Sequence, residues 1–554
     1  MWGMNFMLTK KHLGALLGTL IVCSGLLAAC GNKSSQSKQV LNLAVSSDLA
    51  TMDPSHASDT TSMQMLENTG EGFLQLGKDS KIEKELATKI TTSKDGLTYT
   101  FNLRKDAKWS NGQPVTAKNF VYGWQRTVNP KTASEYAYLY SGIKNADAIM
   151  NGKKNYQTLG IKAVNKYQVQ VNLEHRISYF KLLMAMPVFY PQNQQAVEKY
   201  GSKYGTNAAK TISNGPFVLK GWKGTNEKWQ LAKNKNYWDK KQVHLTAINF
   251  QVVKSPSTGL NLFQTGKLDQ TQLLGSQVAS EKSSKNYVLN KSATSVYLQF
   301  NLKNPADSDL KAALNNVNIR KALSLTLDRK QLTNKVLSDG SLPAKGFVTS
   351  DLAKNPKTGT DFAAEAYVKD GVAYNKSAAK DYWTKGLKQL GVSKLKVSLL
   401  SDDDDASKQT AEFVQSQWES LLPGLAVDVQ SVPKTVRISR SQKGNFDIVI
   451  SGWGADFSDP VTFLNLYQAG NSGDAGGYNN PNYNQLIDEI NNNPSNNESV
   501  RWDNMVKAEK ILMNDQITIP LYQKSNSFLQ SKKLKNLIVN TAGPAHNYKK
   551  VYLK

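Results

Sequence analysis

Five histidines, two cysteines and the run Asp402 to Asp405 are the side chains of this 554-residue chain best placed by type to do chemistry. His12, His56, His175, His244 and His546 stand far apart, and no His-Glu-x-x-His or other paired spacing exists to hold zinc. Cys23 and Cys30 both precede Gly31, so the body offers neither a thiol nucleophile nor a Cys-ligated metal. The aspartate run invites calcium, but it lacks EF-hand spacing. An acidic run just before a helix is favoured by the helix dipole and by capping, which is the better reading. Gly72 to Asp79 imitates a phosphate loop as Gly-x4-Gly-Lys, yet it ends in Asp79 where Ser or Thr must meet magnesium, and no apolar strand precedes it. No Gly-x-Ser-x-Gly elbow occurs. Paired carboxylates could still meet in space, but nothing positive indicates an enzyme, a metal or a cofactor.

The other reactive position is Cys30. Lys10, Lys11 and His12 precede an apolar run from Leu13 to Ala29, relieved only by Gly, Thr, Ser and Cys23, which reads as a secretion signal over 1–29. Its end, Leu27-Ala28-Ala29-Cys30-Gly31, resembles the lipobox of bacterial lipoproteins, where the cysteine sulfur takes a diacylglycerol before cleavage. An ordinary signal peptide with an incidental cysteine and an uncleaved anchor helix are the alternatives. The polar, aperiodic stretch 30–39 then reads as a flexible tether. With two acyl chains the attachment is stable, and the working parts are expected on the outer face of the cell membrane.

Length and composition set what must carry these residues. A chain this long exceeds a single core, so two or three lobes are expected. Hydrophobic residues are 40% and charged residues 20%, an ordinary globular mixture that excludes collagen-like, coiled-coil and wholly disordered chains. Only one apolar stretch approaches bilayer length. The formal charge of +25 would suit a nucleic-acid binder, but the lysines are scattered and no arginine-rich tract occurs. A solvated basic surface facing anionic surroundings fits better, with a surface adhesin as the rival use of the charge.

Val40–Val45, Leu97–Leu103, Val169–Leu173, Val296–Leu302, Leu395–Leu400, Val427–Val432 and Phe446–Ile450 read as strands, between helices at Thr116–Gln125, Asn318–Val336 and Val500–Met513. Strand, loop and helix recur through the later part as an α/β half.

Four segments together are similar to the oligopeptide-binding proteins of ABC importers. They are Gly96–Gly112 continuing as Val115–Arg126; Asn214-Gly215-Pro216-Phe217 with Asn236-Tyr237-Trp238-Asp239; Asn318–Leu323 with Leu327-Asp328-Arg329; and Phe446-Asp447-Ile448 with Gly452-Trp453-Gly454-Ala455-Asp456-Phe457-Ser458-Asp459-Pro460. The similarity runs in one order over nearly all of 40–554.

The resemblance implies an α/β, two-lobed periplasmic-binding-protein-like clamp with an additional α+β domain. Lobe I would comprise 40–77, 206–305 and 524–554, the additional domain 78–205 and lobe II 306–523, with two crossing segments as the hinge. It also implies oligopeptide cargo, held through the main chain that all peptides share, and delivery to the permease and ATPase subunits of an importer by a monomeric receptor. A signalling peptide or another small solute is the alternative cargo. Asp456 would neutralise the peptide's ammonium, since an unpaired buried ion is costly. Trp453 would wall a pocket, Gly452, Gly454 and Ala455 would let a backbone approach, and Asn214, Gly215 and Tyr140 would lie nearby. Some relatives carry a basic residue where this chain has Ile450, so Arg437 or Arg440 would have to meet the peptide's carboxylate.

Overall fold

Alternation in Val40–Val45 buries Leu41, Leu43 and Val45 on one face and leaves the intervening residues half-buried on the other. That strand lies in a large mixed sheet whose order is Leu425–Val432, Leu395–Asp402, Ile448–Gly454, Tyr287–Phe300, Thr518–Gln530, Gln270–Leu273, Val40–Val45, Ala247–Val252, Lys228–Lys233, Phe217–Lys220. The computed structural model describes residues 39–554 apart from 304, 306–307, 471–475, 493–496 and 544. The segments expected to be a secretion signal and a tether, with Cys30, lie outside the described residues up to Lys38.

Two long strands join the halves of this sheet. Tyr287–Phe300 and Thr518–Gln530 run antiparallel, and their register shifts between Lys291 and Ser295 and again between Val296 and Tyr297. From Thr294, inside the first shift, to Phe300 the first strand also pairs with Ile448–Gly454; at its other end, over Ser527–Gln530, the second pairs with Gln270–Leu273. The irregularity therefore sits where the halves meet, and a bulge there bends both crossing strands together. Gln523 braces it: its Nε2 donates to Ser292 O and Ser350 O, both at 3.1 Å.

A second, four-stranded sheet orders Ala87–Thr92, Thr98–Leu103, Gln168–Asn172 and Ile161–Asn165. The helix Ala117–Val128 packs beside it, opened by a capping box between Thr116 and Asn119 and burying Phe120, Trp124 and Val128. Phe73 stacks on Phe101 and Phe120 at 4.1 and 3.9 Å, so the chain is already tied to this unit before residue 78. Arg126 locks the unit to the large sheet's side through two bonds to Asp53, 2.7 and 2.6 Å. The Gly96–Arg126 segment thus builds and docks a domain. Asn236–Asp239 is likewise structural: Tyr237 and Trp238 donate to the buried Glu71, and Asp239 meets Lys549 at 3.0 Å.

The helix expected over Asn318–Val336 is broken into Val317–Leu325, Arg329–Gln331 and the wide turn Leu332–Leu337. Asp328 is the reason: its carboxylate accepts the Gln331 N–H at 3.0 Å and starts a new turn. Asp404 caps Asp405–Leu421 by accepting the Ser407 N–H at 3.2 Å, as the capping reading of the aspartate run requires. Among the described residues no cluster of three or more His, Cys, Asp or Glu is arranged to hold a metal. None of the described helices is long and apolar enough to cross a membrane.

Glu509 on the helix Glu498–Asp515 is almost fully buried, and its Oε1 accepts the Phe347 and Val348 N–H groups at 2.6 and 3.2 Å. Gly346 permits this approach, because a Cβ there would stand 2.6 Å from the same oxygen. Burial pushes this carboxyl up to about 7. A folded-state value above the unfolded one means that stability is full below the unfolded value and is lost as pH rises towards 7. Glu509→Gln, which stays neutral, should raise the melting temperature by on the order of 2 °C at pH 8 and by much less at pH 5. Thermal denaturation at both pH values checks this; equal shifts would count against it.

Candidate functional site

Ile448–Gly454 starts in the core, with Ile448, Val449 and Ile450 buried, and ends with Gly452 and Gly454 exposed. One edge is paired throughout with Tyr287–Phe300, from Phe300↔Ile448 to Thr294↔Gly454. The parallel neighbour on the other edge, Leu395–Asp402, pairs only at Leu399↔Ile448 and Leu400↔Val449. From Ile450 onward no described strand covers that second edge. Its main-chain groups are therefore available to an added strand.

The side chains here leave room. A Cβ at Gly452 would find its nearest neighbour, Ser295 O, at 3.8 Å, so nothing in the fold itself requires glycine there. Trp453 is half-buried, and its Nε1–H has no partner among the described residues. Ala455 N–H donates to Ala293 O at 2.8 Å, which fixes the strand's exit.

Asp456 follows at once, half-buried and facing the smaller sheet's unit. Its Oδ2 accepts the Tyr138 hydroxyl at 3.2 Å, and its N–H donates to Thr462 Oγ1 at 3.3 Å. Desolvation in this position pushes the carboxyl up to about 6, the Tyr138 hydrogen bond opposing the rise. The next two residues reach the same way: Phe457 stacks on Tyr179 at 4.5 Å, and Ser458 Oγ lies 3.0 Å from Ser80 Oγ. The turn after the open-edged strand is thus pressed against the neighbouring unit. At neutral pH it holds the Asp456 carboxylate, to which no cation among the described residues donates a hydrogen bond or ion pair.

The profile of bacterial extracellular solute-binding proteins, family 5 Middle, matches residues 81–475. The chain belongs to this family. It is 38% identical to a dipeptide-binding protein of Lactococcus lactis, over 97% of this chain and 98% of that protein. It is 32% identical to the oligopeptide-binding protein OppA of Bacillus subtilis, over 98% and 100%. Among solved structures, Listeria monocytogenes OppA bound to peptide superposes with a TM-score of 0.78 at 40% identity, covering 94% of this chain and 99% of that one. The fold is accordingly the periplasmic-binding-protein-like α/β clamp of this family, built of helices and mixed sheets.

Placed in that clamp, the family 5 positions read from the sequence separate. Gly452, Trp453 and Gly454 are consecutive at the end of the open-edged strand, and Ala455 and Asp456 follow in the turn that leaves it. Tyr140 is fully buried, its hydroxyl donating to Val188 O at 2.8 Å and its ring packed on Trp124 and Phe189. The tyrosine that meets Asp456 is Tyr138, two residues earlier and 48% exposed. Asn214 exchanges two hydrogen bonds with the Glu71 main chain, at 3.1 and 2.9 Å, and Gly215 sits against Gly70, where a Cβ would come 2.7 Å from its carbonyl oxygen. Both brace the Thr69–Glu71 turn. Ile450 is core, opposite Leu298. Arg437 is committed to Asp402 at 2.9 Å, and Arg440 bonds Asn445 O and Gln430 Oε1. The residue that sequence reasoning missed, Tyr138, carried a signal in the alternation Tyr136, Tyr138, Tyr140, which leaves the choice of ring to the phase of the short turn Ala137–Tyr140.

Proposed function

We propose that this chain is an extracytoplasmic receptor that captures oligopeptides along the open edge of Ile450–Gly454 and hands them to the permease and ATPase subunits of an ABC importer. The observation that carries the reading is Asp456: a carboxylate in a partly desolvated turn, at the end of an unpaired strand edge, waiting for a cation. A peptide's α-ammonium supplies that cation, and its main chain supplies the missing strand. The peptide-binding relatives support the same cargo. The segments 40–77, 206–305 and 524–554 form lobe I, 78–205 the additional domain and 306–523 lobe II. The lobes part about the irregularity in the crossing strands. The receptor acts as a monomer, is held to the membrane by a lipid on Cys30, and does no chemistry of its own.

Native mass spectrometry of gently purified protein tests this. Heterogeneous short peptides should be retained, and protein that carries none and binds none from a mixed library by calorimetry would exclude the proposal. Binding should also follow pH. The ammonium stays charged below its own value near 8, so Asp456 sets the acid limit. As pH falls through about 6 the carboxyl takes a proton that the ammonium must displace, and Kd should rise roughly tenfold per pH unit below that point. Calorimetry between pH 4.5 and 8 reads this directly, and a flat profile would remove Asp456 from the role.

A further inference from the structure

The side chain of Gln39 fixes where the chain enters the large sheet: its Nε2 donates to Leu553 O at 2.7 Å, and its Oε1 accepts the Leu553 N–H at 2.9 Å. Gln39 O accepts the Thr246 N–H at 2.7 Å, so Val40–Val45 and Ala247–Val252 start side by side at this end of the sheet. Thr518–Gln530 ends there too: the Ser531 N–H donates to Asp269 O at 2.8 Å, and Leu534–Lys535 then pairs with Tyr552–Leu553. The pole so formed is basic. Lys532 and Lys533 are exposed and Lys535 is half-buried, while Lys240 and Lys241 are exposed in the loop leading into Ala247–Val252. Residues 531–554 hold six lysines and no Asp or Glu. The acids beside the pole are already engaged: Asp269 Oδ2 accepts the Asn42 N–H at 2.8 Å, and Asp239 meets Lys549 at 3.0 Å.

Cys30 lies nine residues before Gln39, a stretch that spans at most about 30 Å. We propose that the pole lies against an anionic lipid surface, its lysines meeting the phosphate headgroups and orienting the receptor on the membrane. A single attachment point keeps the pole within reach of that surface but sets no orientation, and the unbalanced charge supplies one. The peptide edge is then carried clear of the headgroups. The start of Tyr287–Phe300 borders the pole, where the Gln530 N–H donates to Asn286 O, and Thr294 on the same strand pairs with Gly454. Roughly 20 Å of strand therefore separate the two. The inference rests on the lipid reading of Cys30 for which surface is near, but its lysine dependence is measured without the lipid.

Co-sedimentation of full-chain Cys30→Ser with vesicles tests the pole alone. Binding to vesicles of phosphatidylcholine and phosphatidylglycerol in equal parts should exceed binding to phosphatidylcholine, and the excess should shrink as salt is raised. Lys532→Gln, Lys533→Gln and Lys535→Gln together should cut that excess by roughly tenfold to a hundredfold. Lys380→Gln, Lys385→Gln and Lys394→Gln, exposed on and just after the helix Lys376–Leu390, change the net charge equally and should move the excess by less than about twofold. The lipid is read separately, as tight attachment of the Cys30 protein to phosphatidylcholine vesicles, so its failure leaves the result for the pole standing. The proposal is overturned if anionic vesicles gain nothing, as when the pole takes only a soluble polyanion such as polyphosphate. It is overturned equally if both triple exchanges lower binding alike, which would make net charge the whole cause.

Discussion

Asp456→Ala should weaken the binding of peptides with a free amino end by about a hundredfold to a thousandfold and leave the melting temperature nearly unchanged. The size follows from what is stranded. Truncating one partner of a desolvated ion pair costs about 3–5 kcal/mol because the other charge remains unpaired, and a half-buried site takes the lower part of that range, near 3–4 kcal/mol. The small effect on stability follows from how little the fold asks of this side chain, whose one recorded side-chain hydrogen bond is from Tyr138 at 3.2 Å. Its carboxyl is already held up at about 6 in the free protein, so removing it relieves a desolvated charge. A double cycle isolates the contact. N-acetylation of the peptide removes the ammonium, so the acetylated peptide should bind wild type weakly and lose little more in Asp456→Ala. If both peptides lose equally, Asp456 serves the receptor's shape and something else reads the amine.

How much of this was legible in the sequence depended on whether a residue's role is local. The strand alternation at Val40–Val45, the cap at Thr116 and the capping aspartate before Asp405–Leu421 are set within a few residues, and each can be read from type and order. The exposure of Gly452 and Gly454 is not legible that way: they share a strand face with the buried Ile448 and Ile450, and the strand read from the sequence stops at Ile450. What could not be read was decided by distant partners. Asn214 was expected near the cleft, yet its amide is consumed by Glu71, 143 residues earlier. Arg437 was a candidate for the peptide's carboxylate, yet Asp402 takes it. Asp328 lies inside the stretch whose apolar spacing predicts one helix, Asn318–Val336, and its competition with the backbone breaks that helix. The missed tyrosine belongs with these: nothing local says that Tyr140 turns inward to Val188 while Tyr138 turns out to a carboxylate 318 residues away.

The glycines allow a test that separates binding from folding. Gly452 has no positive φ among the left-handed residues of the chain, so a valine can take its extended backbone without strain. Its Cβ would meet nothing closer than 3.8 Å, and valine suits a strand better than glycine does. Gly452→Val should therefore fold as the wild type does, with a melting temperature equal or slightly higher. Gly454 is a poorer choice, since a Cβ there would already stand 3.2 Å from Thr294 Oγ1. The two added methyl groups at 452 enter the space that a captured chain needs beside the open edge, and overfilling a packed contact costs about 1–3 kcal/mol. Peptide affinity should fall roughly tenfold to a hundredfold, for acetylated and free peptides alike, because the obstruction acts on the main chain and not on the amine. That pattern is the converse of the one expected for Asp456→Ala. A stable Gly452→Val protein that binds peptides as tightly as wild type would place the captured chain away from the Ile450–Gly454 edge.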